Sequence, residues 1–171
     1  MIRSERLALR PWRGDEVDDA WALWGDPAVT RRIARAPLTP AQVTARLEAE
    51  RRCQAEHGVQ YWRAETHGGV FVGCAGLHPH PDPDTFELGF HLVRSAWGQG
   101  YATELGAMVV RHAVAELGVP RLFAGHHPEH HASRRVLEKL GFRPIGAQYF
   151  EGTGLLHPSY ELVSPGQPPI G

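Results

Sequence analysis

The most informative stretch of the chain is Trp97-Gly98-Gln99-Gly100-Tyr101-Ala102-Thr103-Glu104. It lies between a segment with strand-like alternation, residues 85–93, and the strongest helical pattern of the chain, residues 100–117. The two glycines permit a tight turn that exposes consecutive backbone N–H groups. Those amides, together with the positive end of the following helix, favour an anion of the size of a pyrophosphate. We therefore predict a strand, a turn and a helix that together bind such an anion.

Two other classes of glycine-rich loop fit this stretch less well. A P-loop needs a Lys followed by Ser or Thr after its second glycine, and neither follows Gly100. A dinucleotide-binding fingerprint needs Gly or Ala where Thr103 stands, and its strand begins a parallel βαβ unit, whereas residues 85–93 end a series of hairpins. A turn without a ligand stays open as an alternative, because two glycines with one residue between them are a common pattern.

Periodicity and turn residues predict the other elements of the fold. Strands are expected at 6–10, 59–66, 70–77, 85–93, 121–126, 142–150 and 158–163, and helices at 15–25, 39–58, 100–117 and 131–140. Thr39, Pro40 and Gln42 form a capping-box pattern at the start of the second helix. The order of the elements predicts an α/β (α+β) domain with a mixed sheet over residues 1–163, followed by a Pro/Gly-rich tail at 164–171.

Apolar residues at helical spacing predict which faces of two helices are buried. In the first helix these residues are Val17, Ala20, Trp21 and Trp24. In the helix at 100–117 they are Leu105, Val109, His112, Ala113 and Leu117. Trp12, Trp21, Trp24 and Trp62 are expected in the core or in the wall of a substrate pocket, rather than stacked on a cofactor.

Composition limits the classes of partner. The chain has 171 residues and a net charge of −1, and this balance argues against a nucleic-acid binder. The first twelve residues, MIRSERLALRPW, lack the apolar segment of a signal peptide, and no apolar run approaches the length of a membrane span. Cys53 and Cys74 form no CxxC pattern. We expect a cytoplasmic protein without a membrane or nucleic-acid partner.

A second motif, ASRRVLEKLGF at residues 132–142, follows the first by about thirty residues. The pair at this spacing resembles the GNAT superfamily of N-acetyltransferases, and most of all its ribosomal-protein-alanine (RimJ/RimL-like) branch. SERLALRPW, VGCAGL, ELGFHL and HPSYEL also match, so that the resemblance covers nearly the whole chain. It implies a mostly antiparallel central sheet flanked by helices. The sheet would splay between its fourth and fifth strands, residues 85–93 and 121–126.

The resemblance implies that acetyl-CoA, as cosubstrate, lies in the gap between those two strands. Backbone amides of the first motif would bind its pyrophosphate, and the end of strand 85–93 would pair with its pantetheine arm. The implied cofactor-binding residues are Leu92, Val93, Trp97, Gly98, Gln99, Gly100, Tyr101, Ala102, Thr103, His130 and Ser133. Three positions depart from the family pattern: Trp97 replaces the usual Arg or Gln, His130 the usual Asn, and Leu137 a tyrosine acid.

Catalysis by such an enzyme requires a base for the amine and a donor for the leaving thiolate. Glu87 is the candidate base, because the family often places an acidic residue there; a surface carboxylate is the alternative. By strand alternation His91 shares a face with Glu87, as a catalytic partner or as a structural histidine. Ser133 is the candidate donor, or else a serine that caps its own helix. Backbone N–H groups near the end of strand 85–93 would stabilise the oxyanion.

The resemblance, together with these residues, implies transfer of an acetyl group from acetyl-CoA to a primary amine by direct attack in a ternary complex. An α-amine, with a pKa near 7.7–8.0, is much more often free at pH 7 than lysine, near 10.4, so a protein N-terminus or a small amine is favoured. The acceptor would enter from the side built by residues 12–60 and 143–160. A non-catalytic acyl-CoA-binding module is the alternative function, and a homodimer stays open.

Histidine is the unusual feature of the composition, with eleven residues, four of them in HHPEHH at 126–131. A metal site there is an alternative, but the segment joins a strand to a helix and lacks the i, i+4 spacing of a metal-binding helix. We expect no metal, and loop histidines that face solvent or the cofactor. If these imidazoles become charged, activity would fall below pH ~6.5. Arg31, Arg32 and Arg35 are expected on a solvated helix face, or else to attract an acidic acceptor.

Overall fold

The computed structural model describes residues 1–164. Within this part of the chain the strands are Ile2–Arg3 (β1), Leu7–Arg10 (β2), Tyr61–Thr66 (β3), Phe71–Pro79 (β4), Thr85–Leu92 (β5), Arg121–Gly125 (β6), Arg143–Phe150 (β7) and Leu155–Val163 (β8). The α-helices are Val17–Trp24 (α1), Pro27–Thr30 (α2), Pro40–His57 (α3), Tyr101–Ala115 (α4) and His131–Lys139 (α5). Apart from Ser164, the predicted tail lies outside the described residues. No helix of the described part is both long and apolar enough to cross a membrane.

Helix α3 begins with the predicted capping box. The Thr39 hydroxyl accepts a hydrogen bond from the Gln42 N–H at 3.3 Å, and the Gln42 side chain accepts one from the Thr39 N–H at 2.8 Å. The helix ends at Gly58, whose φ of 73° is a left-handed conformation that glycine adopts without strain. Between these ends, Val43 and Leu47 are buried in the core.

The sheet has the strand order β1-β2-β3-β4-β5-β6-β8-β7, and its neighbouring strands are antiparallel except for the parallel pair β5 and β6. This confirms the predicted mixed, mostly antiparallel sheet. The two-residue strand β1 was not expected from the sequence. Because β1 is added at the edge, the parallel pair is formed by the fifth and sixth strands, in the same two segments that the sequence indicated.

The parallel pair separates after three residues. β5 and β6 pair only from Thr85 with Arg121 to Glu87 with Phe123, whereas β5 stays paired with β4 as far as Leu92. The edge of β5 that faces β6 therefore has no strand partner over residues 88–92. This gap is the predicted splay of the sheet.

Helix α4 packs on β4 and β5 with Leu105, Met108 and Val109 buried. Leu117, which the periodicity placed on the same face, is exposed because α4 ends at Ala115. The prediction for this position was wrong, since the chain leaves the helix axis before reaching it.

The buried face of α1 also differs from the prediction. Val17 and Trp21 are 38% and 43% exposed, whereas Ala20, Leu23 and Trp24 are fully buried. The helix starts two residues later than expected, after Glu16. The buried face of α1 therefore includes Leu23, which the sequence periodicity did not predict to be buried.

The chain forms a further short helix, α2, after the predicted break at Asp26. The Asp26 carboxylate accepts a hydrogen bond from the Ala28 N–H at 2.9 Å, and Pro27 occupies the first helical position. Arg31, Arg32 and Arg35 follow this helix in the connection to α3. The expectation that they occupy a solvated helix face was therefore wrong.

Candidate active site

The first motif forms the connection from β5 to α4. Gly98 and Gly100 have φ values of 74° and 79°, and Gly100 is the N-cap residue of α4 without a side-chain cap. In the described chain, no group accepts a hydrogen bond from the backbone N–H groups of residues 98–103. A helix of fifteen residues also places the positive end of its dipole here. The connection thus has the free donors that a pyrophosphate requires.

The N-terminal segment of the chain holds this connection in place. Arg6 donates to the Gln99 carbonyl at 3.0 Å and to the Glu104 carboxylate at 2.7 Å, and its guanidinium lies 4.7 Å from the centre of the Tyr101 ring. The Ser4 hydroxyl donates to Glu104 at 2.6 Å. Partial burial opposes ionisation of Glu104, but the hydrogen bonds from Ser4 and Arg6 lower its pKa. Glu104 is therefore an anchoring carboxylate, a role that the sequence did not indicate.

The free edge of β5 presents backbone groups to the gap. The Val93 N–H donates to Val72 in β4 at 3.2 Å, and the Val93 carbonyl accepts from Ala96 at 3.0 Å. Because N–H and C=O directions alternate along an antiparallel strand, the Leu92 backbone groups point away from β4, into the gap. The Leu92 carbonyl accepts a hydrogen bond from the Trp97 indole at 2.9 Å. Of the two predicted pairing residues, Leu92 is thus the one whose backbone faces the gap.

His91 lies on the opposite face of β5 from α4, in contact with α1. The Trp24 indole N–H donates to Nδ1 of His91 at 3.2 Å, which places the imidazole proton on Nε2. Burial, followed by the positive charge of Arg46, holds the pKa of His91 well below its ordinary value. His91 is therefore neutral near pH 7, and its Nδ1 lone pair is already occupied.

Tyr61 completes this face, and sequence reasoning did not find it. Its ring stacks on His78 at 4.0 Å and meets His91 edge-on at 5.7 Å. Its hydroxyl lies over Gly89, where an added Cβ would be only 2.2 Å from the oxygen. Burial, followed by the negative charge of Glu87, holds the pKa of Tyr61 well above its ordinary value. A glycine inside a strand marks such a close approach, so Gly89 was the available signal.

Glu87 is half-buried on the same face, directly across the strand pair from His78. Burial raises the pKa of its carboxyl, and the positive charges of His78 and His80 only partly oppose this. The carboxylate has no hydrogen bond or ion pair with any residue from 1 to 164. It is a partner-free carboxyl group whose pKa is displaced toward neutrality, as a general base requires.

The start of α5 holds the other predicted residues. His130 is the N-cap residue without a side-chain cap, and burial, followed by the positive charge of Arg32, lowers its pKa to about 4. Ser133 is buried in the first turn, and its hydroxyl bonds to none of the described groups, contrary to the capping alternative. Leu137 is buried in the core.

Two loop histidines have structural partners. Buried His126 donates from Nδ1 to the His127 carbonyl at 2.8 Å, and its Nε2 accepts from the Tyr160 hydroxyl at 3.4 Å. His127 accepts at Nδ1 from the Glu129 N–H at 3.2 Å. The expectation of a solvent-facing or cofactor-facing side chain was therefore wrong for His126. The described residues contain no group of three or more His, Cys, Asp or Glu arranged to hold a metal.

The sequence itself matches a known family. The profile of the acetyltransferase (GNAT) domain aligns with residues 6–143, which is most of the chain. The chain belongs to the GNAT acetyltransferase family. It is an acyltransferase, and the family uses acetyl-CoA and acts on amines. The Bacillus subtilis protein named uncharacterized N-acetyltransferase YoaA is 24% identical to this acetyltransferase over 177 residues, covering 96% of this chain and 97% of that protein.

Solved structures share the fold. A GNAT-family acetyltransferase from Bacillus anthracis superposes with a TM-score of 0.81 at 21% identity, covering 95% of this chain and 97% of that one. RimL, a ribosomal L7/L12 α-N-protein acetyltransferase in complex with coenzyme A, superposes with a TM-score of 0.80 at 15% identity, covering 94% and 96%. At these identities the likeness shows the GNAT fold alone.

Proposed function

We propose that this acetyltransferase transfers the acetyl group of acetyl-CoA to a protein N-terminal α-amine or a small primary amine, by direct attack in a ternary complex. The observation that carries the proposal is Glu87. Its carboxylate has no protein partner among the described residues and a raised pKa, and it lies on β5, whose edge forms the gap. A carboxylate in this state suits an amine that is already partly free at neutral pH, as an α-amine is.

Binding of acetyl-CoA would use the free donors of the gap. The N–H groups of residues 98–103 would hold the pyrophosphate at the start of α4. The Leu92 backbone would pair with the pantetheine arm as with an added strand, and Trp97 orients the Leu92 carbonyl. His130 and Ser133 would line the arm from the start of α5.

Glu87 then accepts the proton of the bound ammonium group, and the free amine attacks the thioester carbonyl. The backbone N–H groups on the free edge of β5 would donate to the oxyanion. As the C–N bond forms and the C–S bond breaks, the Ser133 hydroxyl donates its proton to the departing thiolate, which leaves as the thiol, and regains a proton from the nitrogen that becomes the amide. His91 positions this face through Trp24 and does not take up the proton, since its Nδ1 is occupied.

The acceptor class draws support from the RimL neighbour, which is named for acetylation of a ribosomal-protein α-amine. We extend the proposal to a cytoplasmic enzyme, where such an acceptor would be found. A homodimer stays a prediction.

Leu137 and His130, which replace the tyrosine and asparagine of the family pattern, favour a second candidate, an acyl-CoA-binding module without turnover. Thiol release from acetyl-CoA, measured with N-terminal peptides and small amines, separates the two. Turnover that falls sharply in Glu87→Gln supports the proposal. Tight acetyl-CoA binding without turnover of any amine would support the binding module instead.

A further inference from the structure

Arg46 in α3 has no ion-pair partner among the residues that the structure describes. Its guanidinium lies over the Trp24 ring, 4.9 Å from the ring centre. Its Nε is buried and has no hydrogen-bond partner, and Arg46 forms no ion pair with any residue between 1 and 164. An arginine donor that is removed from water without an acceptor is unfavourable, so a site that retains one requires a reason.

The guanidinium belongs to the same face as the candidate base. The guanidinium stacks on Trp24, and the Trp24 indole donates a hydrogen bond to His91. The positive charge of Arg46 contributes to the low pKa of His91 and partly opposes the increase in the pKa of Tyr61. Arg46 is thus close to the residues that surround Gly89, on the face that also carries Glu87.

No carboxylate of the described residues contacts Arg46. Glu50 follows one turn later on α3, but its carboxylate accepts from the Tyr61 N–H and from His78, each at 2.8 Å. Glu87 forms no ion pair with it either. Arg32, in the connection between α2 and α3, adds positive charge near His130. Arg46 and Arg32 are therefore two positive charges that no described residue neutralises by direct contact.

We propose that Arg46 binds a carboxylate carried by the acceptor, so that the preferred substrates are amines that also bear a carboxylate. This inference rests on the proposed function and specifies its substrate class. The planar guanidinium matches a carboxylate through two parallel hydrogen bonds, and stacking on Trp24 holds its plane. The carboxylate comes either from a small amino acid or from an acidic side chain next to a peptide N-terminus, and both present the same group.

The test compares acceptors that differ only in charge. Initial rates with acetyl-CoA are measured for glutamate and aspartate against glutamine and asparagine, and for tripeptides with Asp against Asn at the second position. We expect kcat/KM to be at least tenfold higher for the carboxylate member in one of the two series, which identifies its source. In Arg46→Gln this preference disappears, mainly through KM.

Arg52→Gln is the matched control, because Arg52 lies exposed on the same helix and the charge change is the same. It retains the preference. Equal rates for acid and amide in the wild type, or an unchanged preference in Arg46→Gln, would overturn the inference while leaving the proposed function intact. Absence of turnover with every amine overturns the proposed function. In that case, the affinity for glutarate of wild type and Arg46→Gln, each in complex with CoA, is measured by calorimetry and tests the role of Arg46 by itself. Equal affinity in the two proteins would contradict the inference.

A change of fold must be separated from a change of site. The thermal shift produced by acetyl-CoA is expected to be equal in wild type and Arg46→Gln. If Arg46→Gln does not fold, Arg46→Lys replaces it. Lysine keeps the positive charge but lacks the paired N–H donors of the planar guanidinium. The preference for the carboxylate acceptor over the amide should therefore become smaller without being reversed. No change in preference in this variant would also contradict the inference.

Discussion

The indole N–H of Trp24 donates to Nδ1 of His91 across 3.2 Å, joining α1 to the strand that carries Glu87. The bond sets the tautomer of a half-buried imidazole, and burial together with the charge of Arg46 keeps that imidazole neutral. A histidine in this state orients neighbours and does not titrate near physiological pH. We therefore propose Glu87, and not His91, as the side chain whose protonation changes during catalysis.

Glu87→Gln should lower kcat/KM about 100-fold or more, the usual loss when a general base is removed. In the wild type the rate should fall on acidification, because a protonated Glu87 cannot accept the proton of the amine, and its raised pKa moves this fall toward neutral pH. Protonation of the acceptor amine, at about pH 7.7–8.0, lowers the rate in both proteins. The limb assigned to Glu87 is therefore the additional fall at lower pH, and rate profiles between pH 5 and 8 should show this additional fall only when Glu87 is present. The same limb in Glu87→Gln would remove Glu87 from the mechanism.

His130→Asn should leave the shape of that profile unchanged. The pKa of His130 is lowered to about 4, so that the imidazole stays neutral over the range in which activity is measured. His130 is therefore not expected to contribute to a fall in activity near pH ~6.5. A limb that vanishes in His130→Asn and persists in Glu87→Gln would show that the imidazole titrates after all.

His130 should instead make stability depend on pH. Its pKa is lower in the folded protein than the value of about 6.5 in the unfolded chain, so the unfolded state binds more protons at acidic pH. Its contribution to the free energy of unfolding is present above pH ~6.5 and is lost as the pH falls toward 4. Between pH 7 and 5, Tm should fall by about 3 to 6 °C less in His130→Asn than in the wild type. Exposed His57→Asn is the control, and an equal decrease in all three proteins would contradict this account.

Gly89→Ala should disrupt the face of β5 that carries Glu87 and His91. The new Cβ would lie 2.2 Å from the Tyr61 hydroxyl, so the buried ring must leave its stack on His78. We expect a loss of about 1 to 3 kcal/mol in the free energy of unfolding and a loss of turnover, measured by denaturant titration and by initial rates. Gly68→Ala, where the nearest atom is 3.7 Å away, should change neither. A Gly89→Ala enzyme with normal turnover would exclude Tyr61 from the site.

Arg6→Gln should weaken acetyl-CoA binding without affecting the acceptor. Arg6 links the Gln99 carbonyl to the Glu104 carboxylate, and its loss frees the connection that presents the amides of residues 98–103. Since the pair is partly exposed, we expect a moderate effect, about a fivefold rise in the KM for acetyl-CoA. Arg134→Gln breaks an ion pair with Glu138 on the exposed face of α5 and serves as the control. An unchanged KM in Arg6→Gln would show that the connection is rigid without it.

The features predicted correctly from the sequence have short-range causes. The capping box of α3 depends on residues three positions apart, and the left-handed turn depends on Gly98 and Gly100. Alternation along β5 sufficed to place Glu87 and His91 on one face. Each of these patterns is fixed by local backbone geometry.

The features that were missed depend on residues far apart in the chain. Tyr61 reaches Gly89 from two strands away, and Arg46 approaches His91 from a helix on the other side of Trp24. Glu104 is bound by Arg6 across almost one hundred positions. Such contacts depend on the packing of whole elements, and no local period encodes them.

The fluorescence of Trp97 should report whether the gap between β5 and β6 is occupied. Its ring is 45% exposed at the end of β5, while its N–H is fixed to the Leu92 carbonyl. A molecule that pairs with Leu92 covers this ring, and its emission should shift to shorter wavelength as water leaves. Trp12, Trp24 and Trp62 are already buried, and Trp21, the other exposed tryptophan, lies on α1, so the shift should be lost in Trp97→Phe and retained in Trp21→Phe. Trp97 thus allows occupancy of the gap to be followed by intrinsic fluorescence.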